Sequence, residues 1–250
     1  MTDRVLRCVI ATAAAGNTLD GELLGEATAA LRALGPETGS VLLTSDGPNF
    51  CTGGNVKHFA GAEDRRGFVG AMARELHDFV RALVSAPVPV VADVRGWAAG
   101  AGMSIACAAD LAVGGPGTKF RAAYPGIGYS PDGGMSWTLQ RAVGAARARD
   151  LILTDSVLTG EDAYRAGLLA RLVPDADVRA EAERLAADLA AGPTTSLARS
   201  KRLLWDAPGR GLSEHLDAEA ESIADCADSP AGREGVAAFT ERRAPVWPQG

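Results

Sequence analysis

One carboxylate, Asp132, sits in the run GIGYSPDGG, between Pro131 and a pair of glycines. Pro presets φ, Asp bonds its own backbone and Gly tolerates positive φ, so the run has the composition of a tight turn. A carboxylate in such a place has a second use. Beside a C–H made acidic by a carbonyl it is a general base, provided something else holds the negative charge that proton removal creates.

Two glycine-bearing turns offer that second component. NFCTGGNVKHF follows the apolar run SVLLTS, and GWAAGAGMSIACAAD follows PVVADV. Small residues let backbone N–H groups come close to a ligand carbonyl oxygen. Where the second turn enters a helix near Ala101, the unpaired donors and positive dipole end of the helix N-terminus add to them. Two such groups converging would hold an enolate or a tetrahedral oxyanion. Neither turn has G-x-G-x-x-G or P-loop spacing, which disfavours a dinucleotide or a nucleoside triphosphate. Ser104, in GMSIA, loosely follows a nucleophile elbow, yet it falls ten positions after Val94, inside the helix rather than at the strand-to-helix turn that an elbow serine needs.

The elements that must position these residues alternate. VLRCVIA, SVLLTS and PVVADVRG read as strands, and LDGELLGEATAALRALG and VGAMARELHDFVRALVSA as helices, an order that predicts an α/β fold built from crossover units. SIACAADLAVG, WTLQRAVGAARARDLILT, GEDAYRAGLLARLVP and DVRAEAERLAADLAAG continue the pattern, and the last third is mostly helix. AAGPTTS, residues 190–196, is the nearest candidate for a boundary: Gly and Pro end one helix and Thr or Ser can cap the next.

Composition narrows the function classes. The chain has 250 residues, 47% hydrophobic and 22% charged, enough for one large domain or a domain with an appendage. A net charge of −6 and few aromatics (5%) leave no basic or stacking face for nucleic acid. Cys8, Cys51, Cys107 and Cys226 form no C-x-x-C pair, which points to a reducing, cytoplasmic compartment. His58, His77 and His215 have no metal-ligand spacing, so no metal is expected. Asp3 and the short apolar run after Arg4 and Arg7 argue for a first strand over a signal peptide, and residues 96–109 are too short and Gly-rich to span a bilayer.

Taken in order, NFCTGGNVKHF, PVPVVADVRGWAAGAGMSIACAADLAVGG, TKF, GIGYSPDGG, RAVGAARARDLILTDSVLTGEDAYRAGLLARLVP and GVAAFTERRAPVW resemble the crotonase, or enoyl-CoA hydratase/isomerase, superfamily over nearly the whole chain. The resemblance implies a crotonase-like spiral of ββα units over residues 1–192 and a C-terminal helical trimerisation region over 193–250. It implies homotrimers or dimers of trimers, an acyl-CoA thioester as substrate, and coenzyme A entering as part of that substrate with no tightly bound cofactor. By position, the two oxyanion donors fall on Gly54 and Ala101, and Asn55 stands where the family usually has Asp. Two glutamates serve the family's hydratases, and their positions hold Ser104 and Tyr124. Neither acts as a base near neutral pH without unusual activation, which argues against water addition by the two-glutamate route.

Asp132 matches the P-D-x-G acid of family isomerases, in which one carboxylate removes a proton beside the thioester and returns it at another carbon. A second reading, an aryl/acyl-CoA dehalogenase or hydrolase, follows aryl-CoA dehalogenases of the superfamily: Asp132 attacks the ring, His77 activates water and Tyr124 is the aromatic neighbour. Against it, His77 lies beside the apolar stripe of Met72, Leu76, Phe79 and Leu83 on an amphipathic helix. Hydration by another base and a non-catalytic CoA-binding subunit are the remaining alternatives. Lys57 and Phe239, the latter with Arg242 and Arg243 from a neighbouring subunit, are the expected coenzyme A contacts, with a solvated surface lysine the plainer reading of Lys57. Residues 60–75 are expected to form a mobile wall of the acyl pocket.

Overall fold

The computed structural model describes residues 4–248, leaving aside the side chains of His58 and Phe59. Met1–Asp3 of the leader-like segment and the His58 side chain therefore lie outside the described residues. In chain order the elements are β1 (Val5–Thr12), α1 (Gly21–Arg32), β2 (Ser40–Asp46), α2 (Val56–Gly61), α3 (Arg65–Ser85), β3 (Val90–Val94), β4 (Trp97–Ala99), α4 (Ala101–Ala108), β5 (Leu111–Gly114), β6 (Lys119–Arg121), α5 (Met135–Val143), α6 (Ala145–Leu153), β7 (Leu158–Thr159), α7 (Gly160–Arg165), β8 (Arg171–Leu172), α8 (Val178–Ala190), α9 (Thr194–Asp206), α10 (Leu212–Asp228) and α11 (Pro230–Glu241).

The apolar runs build a five-stranded parallel sheet ordered β1-β2-β3-β5-β8, and a three-stranded sheet ordered β4-β6-β7 lies beside it in the chain path. β3 passes to β4 and β5 to β6, so successive turns feed both sheets before a helix returns the chain, which is a spiral of ββα units. β3 is buried along its whole length, as a strand covered on both faces must be. Its period of two divides it cleanly: Val90, Ala92 and Val94 join the main core with α1, α3 and α4, while Val91, with Leu42 and Val113, packs on Val178, Ala182, Leu185 and Ala186 of α8.

Local signals account for the helix bounds. Asp20 caps α1 by accepting the Glu22 and Leu23 amides, and Leu24, Ala27, Thr28 and Leu31 form its buried stripe. α3 starts a full turn before its apolar periodicity because the Asp64 side chain accepts the Gly67 amide. The run WTLQRAVGAARARDLILT is two helices, α5 and α6, divided at Gly144. α9 opens without the Thr or Ser side-chain cap expected of AAGPTTS, since Pro193 occupies its N-cap.

The helical end is tied to the core by a buried lysine. Lys201 on α9 donates to the carbonyls of Leu83 (2.9 Å) and Val88 (3.1 Å) and pairs with Asp110 at 2.9 Å, and Asp110 also accepts Trp205 Nε1 and the Val90 amide. Burial lowers the Lys201 pKa, with Asp110 opposing that shift. Lys201→Met leaves Asp110 short of its partner, and we expect a stability loss of about 3 kcal/mol, read from the denaturant midpoint and the slope m. On the outer side of this region Leu204, Leu212, Leu216, Ile223, Val236 and Phe239 are exposed. Among the described residues no helix is long and apolar enough to cross a membrane, and no three His, Cys, Asp or Glu side chains gather into a group that could hold a metal ion.

Candidate active site

The first glycine turn is stitched to β4. Fully buried Asp93 accepts the Thr44 hydroxyl (2.7 Å) and pairs with Arg95 (3.0 Å), whose guanidinium donates to the carbonyls of Gly47 and Ser45 and so pins the loop after β2. Asn49 Oδ1 accepts the Trp97 amide, and the amides of Phe50 and Cys51 donate to Arg95 and Trp97 while that of Ala99 donates to Cys51. Residues 50–51 thus run along β4 as a fragment of strand, and this delivers Gly53 and Gly54 to the point where β4 turns into α4.

The approach there needs glycine. Gly53 and Gly100 have φ of 93° and 53°, and a Cβ on Gly53 would stand 3.1 Å from the Ala99 carbonyl oxygen, on Gly100 3.7 Å from Gly53 Cα. Ala101 is the first residue of α4, where an amide has no helical acceptor. Among the described residues neither the Gly54 nor the Ala101 amide finds an acceptor within the chain. Both residues line one cavity of about 550 Å³.

Asp132 lines the same cavity, just before α5. Tyr124 donates its hydroxyl to Asp132 Oδ1 at 2.6 Å. Ser104, fully buried on α4, places its Oγ 2.9 Å from the Asp132 carbonyl oxygen and 3.2 Å from the Tyr124 hydroxyl. Helix α4, the turn before α5 and the segment after β6 are thereby locked around one acid, and Asp132 Oδ2 has no partner among the described residues. Burial pushes the Tyr124 phenol above the usual tyrosine range, and the charge of Asp132 pushes it further. The phenol therefore stays a neutral donor through mildly alkaline pH. We expect the turnover to show no fall from tyrosine ionisation up to about pH 10, and Tyr124→Phe to lower it about tenfold by unmooring the carboxylate; pH profiles of the two proteins check both.

The remaining cavity wall is mostly apolar, with Leu19, Val56, Val69, Met72, Leu76 and Ile127 prominent and Arg65 and Arg66 as its cations. Much of the stretch expected as a mobile wall is regular helix: residues 60–61 end α2 and Arg65 onward is α3. Gly54, Ala101, Tyr124 and Asp132 are brought together. His77, Lys57 and Phe239 are not: none lines the cavity. His77 follows Leu76 on α3 and its side chain turns aside from the wall that Leu76 forms; Lys57 is exposed on α2, its amide held by Asn55 Oδ1 (3.2 Å); Phe239 is 86% exposed on α11. Ser104 is a strut between Tyr124 and the Asp132 backbone, away from the lining. Leu19 and Tyr129 also line the cavity and carried no signal in the sequence beyond their apolar type.

The family model described as enoyl-CoA hydratase/isomerase matches residues 4–250. The chain belongs to the enoyl-CoA hydratase/isomerase family. It is 35% identical over 229 residues to a Rhodobacter capsulatus protein named "Probable enoyl-CoA hydratase", covering 92% of this chain and 88% of that one. It is also 35% identical over 213 residues to the 1,2-epoxyphenylacetyl-CoA isomerase of Escherichia coli K12, covering 83% of this chain and 80% of the relative. A crystal structure of an enoyl-CoA hydratase from Polaromonas superposes with a TM-score of 0.93 at 32% identity, over 98% of this chain and 96% of the other. The spiral fold is thus that of an acyl-CoA enzyme of this family, in which both hydratases and isomerases occur.

Proposed function

We propose that the protein moves the double bond of an enoyl-CoA by a proton shuttle on Asp132. The observation that carries this reading is the charge of the cavity: Asp132 is its one carboxylate among the described lining residues, and by the family resemblance Ser104 and Tyr124 hold the positions of the two hydratase glutamates. Similarity to a relative named as an isomerase supports the same direction.

In this mechanism the thioester oxygen takes the amides of Gly54 and Ala101. Asp132 Oδ2 removes a proton from the carbon next to the double bond, and the C–H electrons move through the chain into the carbonyl. The charge resides on the oxygen held by the two amides, where preorganised donors act most strongly. The carboxylic acid then gives the same proton back at the far carbon of the dienolate, so no atom is gained or lost. Tyr124, bonded to Oδ1, keeps Oδ2 turned to the substrate in both half-reactions. Coenzyme A enters as the substrate's carrier. The exposed apolar residues of α9 to α11 support assembly into trimers or dimers of trimers, and the unpaired cysteines support a cytoplasmic setting.

The dehalogenase reading requires a water-activating imidazole beside Asp132, and His77 lies off the cavity wall, which favours the shuttle. Mass spectrometry of the products formed from 3-enoyl-CoA and 2-enoyl-CoA tests the proposal. Interconversion at constant mass is expected; a principal product heavier by one water would overturn it.

A further inference from the structure

Two residues beside the site adopt the left-handed backbone conformation although neither is glycine. Ala123 has φ of 63° and Asp155 φ of 54°. This conformation is unfavourable for an alanine and persists where surrounding contacts enforce it. The enforcing group is visible. Asp155, at the end of α6 with its side chain 11% exposed, accepts the Ala123 amide on Oδ1 at 2.6 Å and takes the Arg121 guanidinium on Oδ2 at 2.7 and 3.1 Å.

The gripped segment touches both halves of the site. The Arg121 carbonyl accepts the Gly100 amide at 3.1 Å, directly before the Ala101 donor, and Ala123 precedes Tyr124, whose hydroxyl meets Asp132. The left-handed turn at Ala123 ends β6 and leads into the tight turn closed by the Ile127 and Tyr129 amides on the Tyr124 carbonyl.

We propose that Asp155 is a positioning residue of this site, holding the Ala123 turn so that the Tyr124 hydroxyl is aimed at Asp132. The inference rests on the shuttle reading for its catalytic consequence, while its geometric content stands on Tyr124 alone. Asp155 has no contact with the cavity and acts only through the segment it grips.

The test pairs Asp155→Ala with Tyr124→Phe. Asp155→Ala is expected to lower turnover about tenfold with KM nearly unchanged, and to cost almost nothing more once Tyr124 is already Phe, because both changes break the same link. Ala123→Gly, which makes the left-handed turn easy without Asp155, is expected to restore most of the loss in the double variant. A readout without activity is available because the chain has three tyrosines. The ultraviolet phenolate titration of Tyr124, taken as the difference from Tyr124→Phe, should move down towards the ordinary tyrosine range in Asp155→Ala. If Asp155→Ala folds poorly, Asp155→Asn, which keeps an acceptor for the Ala123 amide but loses the ion pair with Arg121, is read in the same two ways with a smaller shift expected. An unchanged phenol titration, or a loss fully additive with Tyr124→Phe, would overturn the inference. A wild type inactive on every enoyl-CoA would sink the shuttle reading instead and leave the titration to decide the role of Asp155.

Discussion

Asp132→Asn lowers double-bond migration about a thousandfold, within the range that a positioned general acid or base supplies. The substitution is close to isosteric, and its amide oxygen can still accept the Tyr124 hydroxyl that Oδ1 holds at 2.6 Å, so the fold and the cavity are preserved. What it removes is the basic oxygen facing the cavity. The loss therefore falls on turnover, with substrate affinity changed little, the signature of an interaction used only in the transition state. Parallel measurement of kcat and of acyl-CoA binding by calorimetry reads this split. A variant that binds weakly but turns over normally would mean that Asp132 serves the turn rather than the chemistry.

The second large effect is at Ala101. Ala101→Pro deletes one oxyanion donor while placing proline at the first position of α4, where its ring is tolerated and no helical hydrogen bond is lost. Gly100, at φ 53° and ψ −124°, has the mirror image of an extended conformation, which glycine alone accepts before a proline without strain. Removing one such donor is expected to cost about a hundredfold or more in turnover. Thermal unfolding of the variant, expected to stay near that of the wild type, separates the lost donor from a lost fold.

The residues legible in the sequence are those whose role is written in their own neighbourhood. Gly54 and Ala101 follow strand-to-turn runs of small residues and Asp132 stands in a Pro-Asp-Gly turn, while the family resemblance supplies the particular positions of the two donors and of Tyr124. The alternating pattern likewise marks β1, β2, β3, α1 and α8. His77 is a candidate only through the dehalogenase resemblance, and the stripe on α3 speaks against it: a side chain one position after Leu76 is turned by about 100°, and His77 does not line the cavity wall that Leu76 lines. The start of α3 was hidden since a cap, Asp64, rather than periodicity sets it. Contacts that depend on closure of the whole spiral left no trace. Asp155 meets Ala123 across 32 positions, and residues 50–51 pair with β4 across more than 40, because the sheets bring them together and not any local preference. Those two long-range contacts are what turn a set of loosely matching motifs into a site with a fixed geometry.

In the proposed mechanism one carboxylate carries one proton between two carbons of the same acyl chain. Proton NMR of 3-enoyl-CoA and 2-enoyl-CoA incubated in D₂O with the wild type and with Asp132→Asn follows that proton directly. The shuttle predicts double-bond migration that outruns deuterium uptake, with deuterium entering only at the two exchanging carbons as the protonated carboxyl exchanges with solvent, and with both signals absent in the variant. Migration or exchange that continues undiminished in Asp132→Asn would contradict it.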